Sequence, residues 1–172
     1  MAEWQSGDPA AGNQLFEELE RELDLIARAR LNQEKNSSLS TGDLINEAMI
    51  RLSMLKDMEF QDKAHILALA ARIMRQTLVD HARKRNSDKR YHSKVTLATH
   101  MGEWDRPLEL MSLDMVLKEL KEIDSQRADI VEMRFFGGMS IPDIAMVLDL
   151  SEATVKRRWA STRAWLKTRL DS

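Results

Sequence analysis

The chain contains no cysteine among its 172 residues. Disulfides and thiolate metal sites are therefore excluded, and a reducing compartment is compatible. Glycine and proline are scarce, at six and three. Few positions interrupt helices, and the abundance of Leu, Ala, Met, Glu and Arg favours an all-α fold. No apolar run approaches the roughly 18 residues that a membrane-spanning helix needs. No charged-then-apolar leader opens the chain, so the expected location is cytoplasmic, with no membrane partner. His65, His81, His92 and His100 are scattered without metal-ligand spacing, and neither a metal nor a cofactor is expected.

A strong net charge is also lacking: the balance is −2. Charge is segregated instead. Residues 83–94 hold six Lys/Arg against one Asp, and residues 153–170 hold six against none, whereas 17–24 reads E-E-L-E-R-E-L-D. Separate basic and acidic surfaces suit a protein that touches both DNA and another protein.

Residues 139–169 are the most informative stretch. Ser140 can cap a short helix, with Asp143 as the acidic half of a capping box and Pro142 tolerated in the first turn. Ile141, Ile144, Ala145 and Leu148 share one face. Asp149-Leu150 breaks the pattern, and Ser151 is a good N-cap for the next helix. On that second helix Val155, Trp159, Thr162, Leu166 and Leu170 fall on one side. Ala153, Arg157, Ala160, Ser161 and Ala164 fall on the other, flanked by Lys156, Arg163 and Lys167. This is the outline of a helix-turn-helix, in which small residues let the helix approach base edges and cations lie near phosphates. A solvated basic face on an ordinary amphipathic helix is the plainer alternative.

Upstream, a first helix is expected from about Pro9 to Arg30. A second, capped at Ser40 or Thr41, carries Leu44, Ile45, Ala48, Met49, Leu52 and Leu55. After a break near 57–61, a long helix runs from about Asp62 to Lys84. Ile66, Ala70, Ile73 and Thr77 mark one side of it; Arg72, Arg75, Gln76, Val79 and Arg83 form an outward stripe on the other. Gly102, Pro107 and mixed polarity mark residues 95–111 as a linker. Ser112 is a candidate cap for the next helix, Asp124 or Ser125 for the one after, and Gly137 for its stop. The organisation expected is two small helical domains, at 9–94 and 112–170, joined by the linker 95–111.

Four segments in this order resemble the bacterial sigma factors of the sigma-70 superfamily, of the small extracytoplasmic-function (ECF) type. T-G-D-L-I-N-E-A-M-I-R-L at 41–52 is similar to the helix that binds the polymerase clamp. Residues 64–85 resemble the −10 promoter helix. E-M-R-F-F-G-G-M-S-I-P-D-I-A at 132–145 is similar to the opening of the last domain, and S-E-A-T-V-K-R-R-W-A-S-T-R-A-W-L at 151–166 to the −35 recognition helix.

The resemblance implies a region 2-like domain, a region 4-like domain, and promoter-directed transcription initiation with core RNA polymerase. Asp43, Asn46 and Glu47 would meet polymerase. Phe60, Gln61, Lys63, Arg72, Arg75, Gln76, Val79, Arg83 and Lys84 would meet the −10 element, residues 56–63 holding an unstacked base. Thr154, Lys156, Arg157, Ala160, Ser161, Arg163 and Lys167 would meet the −35 element. Asn46 stands where relatives often have Gln, and Gln76 where they often have Asn. Ala160 and Ser161 are smaller than the residues frequent there. Phe60 fits either a base-stacking ring or a core plug, while Trp159 and Trp165 fit packing. An anti-sigma protein is a further candidate partner.

Two other readings compete. An autonomous helix-turn-helix regulator would need residues 9–94 to supply a dimer interface or sensor. An enzyme such as a recombinase would need clustered catalytic groups. Asp80-His81 is the only suggestive pair, and adjacent helical residues point about 100° apart. No catalytic residue and no small-molecule substrate is expected.

Overall fold

A computed structural model describes residues 9–31, 40–54, 62–87, 96–97 and 108–171. These form α1 (Pro9–Leu31), α2 (Thr41–Ser53), α3 (Lys63–Ser87), β1 (Thr96–Leu97), β2 (Leu108–Glu109), α4 (Leu110–Ile123), α5 (Ser125–Phe135), α6 (Ile141–Leu148) and α7 (Glu152–Leu170). The fold is all-α apart from one two-residue antiparallel ladder, in which Thr96 faces Glu109 and Leu97 faces Leu108. Both leucines are buried. The described part of the 95–111 segment is thus paired strand and the start of α4.

Helix starts follow cap chemistry. Ser40 and Asp43 form a reciprocal capping box on α2, Asp62 accepts the His65 N–H at 3.0 Å at the start of α3, and Asp124 caps α5. Ser112 is not the cap of α4. Glu109, leaving β2 in an extended conformation, accepts the N–H groups of Met111 and Ser112, so the helix begins before Ser112. α5 stops as expected just before Gly137, with Phe136 as its C-cap. The left-handed residue is Gly138, at φ 58°, one past Gly137. Gly137 is needed for closeness: a Cβ there would lie 2.8 Å from the Ala71 Cβ on α3 and 2.7 Å from the Met133 carbonyl oxygen.

In the N-terminal half, α2 packs between α1 and α3; in the C-terminal half, α4, α5, α6 and α7 pack on one another. The halves also pack together, because α4, α5 and α6 all rest on α3. Ala70, Ala71, Met74, Leu78, Val79 and Ala82 are consequently buried along α3, on more than one side of that helix. Among the described residues, two buried threonines, Thr77 and Thr162, carry hydroxyls without a hydrogen-bond partner. Thr162, on α7, is fully buried. Thr162→Val keeps the shape and removes that desolvated hydroxyl, and is expected to raise stability by about 1 kcal/mol in urea unfolding. A loss of stability would mean that the hydroxyl has a partner.

Candidate nucleic-acid interface

The α6–α7 pair is built as its sequence pattern dictates. Ser140 caps α6 and bonds Asp143. Asp149 ends α6 in the left-handed region at φ 52°, turning the chain toward Ser151. Ser151 Oγ then accepts the Thr154 N–H at 3.2 Å and donates to the Thr154 hydroxyl at 2.9 Å, so Thr154 serves the cap of α7. Val155, Trp159, Thr162 and Leu166 face inward.

The outward face of α7 carries Lys156, Arg157, Ala160, Ser161, Arg163 and Lys167, all exposed. Its cations divide into two sets. Arg158 is half-buried and bonds Gln126 on α5; Arg169 pairs with Glu119 on α4 and lies 5.8 Å over the Trp165 ring. These two hold the helix in place. Among the described residues, Lys156 pairs only with its neighbour Glu152, at 3.5 Å. Among the described residues, Arg157, Arg163 and Lys167 have no carboxylate within ion-pair distance. An exposed row of uncompensated cations around small side chains can receive a polyanion at close approach.

The stripe expected on α3 is not uniformly outward. Arg72, Gln76, Arg83 and Lys84 are exposed. Arg75 is covered: Nη1 donates to Glu132 on α5 at 2.6 Å, and Nη2 to Asp114 on α4 at 2.8 Å. Val79 is only 5 % exposed. For Arg75 the physical reason is the docked C-terminal half, which an angular count along one helix does not contain. Arg83 also lies 3.6 Å from Asp114, and Lys118 2.8 Å from it. Burial acts to raise the Asp114 pKa, but hydrogen bonds from Lys118 and Arg75 outweigh it and hold the carboxyl below its ordinary range. Asp129, on the same helix as Glu132, is pushed up by burial and by that neighbouring charge. Lys63 turns away from this face to Glu22 on α1, at 2.5 Å. Phe60 and Gln61 lie outside the described residues.

Asp114 and Glu132 were not foreseen as site residues. A signal existed for Asp114. It shares the apolar stripe of α4 with Leu110, Leu113 and Leu117, and a carboxylate there requires a charged partner. Glu132 carries no such mark.

The residues expected to meet polymerase lie on α2. Asn46 is exposed and lines a groove of about 650 Å³ between α1 and α2, together with Glu20, Asp24, Leu25 and Met49. Leu25 is 69 % exposed. Glu47 pairs with Arg51 at 2.8 Å on the same helix. Asp43 lines a second cleft with Glu47, opposite Arg83 and Lys84 of α3, but its carboxylate is held by Ser40, whose hydrogen bonds lower its pKa. The acidic residues of α2 and the basic end of α3 therefore share one cleft.

Among the described residues, no His, Cys, Asp and Glu cluster is arranged to hold a metal ion, and no helix is long and apolar enough to cross a membrane. No curated protein and no solved structure matches the chain. The ECF sigma factor family matches residues 1–172, the whole length. The chain therefore belongs to the ECF sigma factor family, the transcription initiation factors that bind RNA polymerase and DNA.

Proposed function

We propose that this sigma factor reads the −35 element with α7 and the −10 element with α3 and the preceding 56–63 segment, while α2 binds the clamp of core polymerase. The observation that carries the reading is the outward face of α7, where, among the described residues, Arg157, Arg163 and Lys167 have no carboxylate within ion-pair distance and stand beside Ala160 and Ser161. On this reading α6 and α7 act as a helix-turn-helix, residues 9–94 and 112–170 act as two functional units, and Asp43, Asn46 and Glu47 face the polymerase. The family also makes an anti-sigma protein a reasonable partner. Run-off transcription with purified core polymerase tests the whole proposal: promoter-dependent transcripts are expected only when both are present. Tight binding to one duplex site without polymerase would favour the autonomous regulator instead.

Within α7 the roles are separable. Arg157 lies near the N-terminal end of the exposed face, where a recognition helix meets base edges. Arg157→Ala is expected to lose discrimination at one −35 position, by about 1–3 kcal/mol. Lys167 lies farther along, beside backbone phosphate, and Lys167→Ala is expected to weaken all promoters alike. Binding across a promoter library distinguishes them; uniform losses for both would remove Arg157 from base readout.

Opening of the −10 region needs a base to leave the stack, and stacking on an aromatic ring returns about 1–3 kcal/mol. Phe60 and Gln61 are assigned that task. Substituting both with Ala should impair run-off from duplex promoters, and a pre-melted −10 template should restore much of the loss. Equal defects on both templates would assign the segment a role other than melting.

A further inference from the structure

A helix about 10–12 Å across fills a major groove about 12 Å wide, so both of its flanks lie against phosphate backbones. One flank of α7 carries Lys156, Arg163 and Lys167. The other carries Thr154, Arg158, Trp165 and Arg169, and its two cations are held differently. Arg169 is matched by the Glu119 carboxylate and lies over the Trp165 ring. Arg158 is matched by an amide: its Nη1 donates to Gln126 Oε1 on α5. Asp124 Oδ1 stands 4.0 Å from it, at the limit of an ion pair, and already caps α5 by accepting the Arg127 N–H at 3.1 Å. An amide oxygen accepts a hydrogen bond and adds no charge. Arg158 is therefore oriented through one nitrogen of its five-donor fork, while its charge is little offset and its side chain is still 30 % exposed.

Resting on the assignment of α7 to the −35 element, we propose that Arg158 binds phosphate on the second wall of that site, and that Gln126 is its positioning residue. Arg158 points about 100° around the helix from Arg157, away from the base edges and toward the backbone beside them. A guanidinium already held in place gives up less side-chain freedom when it meets a phosphate. A carboxylate at position 126 would hold Arg158 as firmly but would offset the charge that attracts phosphate. The amide orients the guanidinium and leaves that charge in place.

The test is holoenzyme affinity for the tightest-binding duplex of the promoter library, measured across a salt series. Arg158→Gln is expected to weaken binding about three- to tenfold on every promoter and to lower the slope of log affinity against log salt by about one. Gln126→Glu keeps the tether as an ion pair and places an acidic residue in the first turn of α5, where the helix dipole favours it. Its thermal melt should be unchanged or higher, yet its DNA affinity and salt slope should fall as in Arg158→Gln. Gln126→Met keeps the charge and loses the anchor, so a smaller loss at unchanged slope is expected. Added to Arg158→Gln, Gln126→Glu should change nothing more. Were Arg158 a structural tether alone, Gln126→Glu would leave affinity and slope intact, and that result overturns the proposal. Arg158→Gln that shifts base preference at unchanged slope overturns it too. A full further loss from Gln126→Glu in the Arg158→Gln chain would mean that the new carboxylate repels DNA directly, and would end the positioning role. Lys167→Ala is the reference. If it weakens binding while the Arg158 and Gln126 variants do not, this inference alone fails; if it too has no effect, the assignment of α7 fails with it.

Discussion

Phe136→Ala is expected to destabilise the chain by about 3–5 kcal/mol. Phe136 is 1 % exposed and its ring centroid lies 5.5 Å from that of Phe135. It occupies the turn between α5 and α6, next to Gly137, where the backbone of one half meets α3 of the other. Truncation leaves a ring-sized void where the flanking glycine turn and the helix contacts leave little freedom to collapse. A domain of this size is typically stable by only about 5–15 kcal/mol, so a large part of the total would go. Urea unfolding followed by circular dichroism measures it. A loss below about 1 kcal/mol would mean that the turn repacks and that the joint is softer than its burial indicates.

The second large effect is expected at the polymerase contact. Glu47→Lys should weaken binding to core polymerase by about 2–3 kcal/mol or more, because placing like charges together in a complementary interface costs several kcal/mol. The fold should be little affected. Glu47 is on the polar side of α2, opposite Leu44, Ile45, Ala48 and Leu52, and its pair with Arg51 is partly solvated. Such exposed pairs contribute at most about 1 kcal/mol. Titration of labelled sigma factor with core polymerase, alongside a thermal melt, separates the two. Unchanged affinity would remove Glu47 from the interface and shift attention to the Asn46 groove, where exposed Leu25 offers an apolar contact.

Much of the architecture was legible because local rules and tertiary packing agree. The caps at Ser40, Ser140 and Ser151 and the inward set Val155, Trp159, Thr162 and Leu166 follow from side-chain chemistry and helical period. Where expectation and structure part, a distant element intervenes. Glu109 displaced Ser112 as the cap because β2 presents its carboxylate to the first N–H groups of α4. Gly137 is required by the approach of Ala71, which lies far away along the chain.

The two candidate DNA faces show the same division. The sequence by itself determined the face of α7, since the order of apolar, small and basic residues there names both its buried and its exposed sides. It also determined the all-α class and the family. The state of α3 was decided only by tertiary structure. Arg75 and Val79 fall on a polar-looking stripe, yet Val79 is buried and Arg75 is covered by a second helical layer. Helical periodicity reports which residues share a side of one helix. It does not report what packs on that side, and an arginine that meets two carboxylates from other helices looks, along its own helix, like one that meets water.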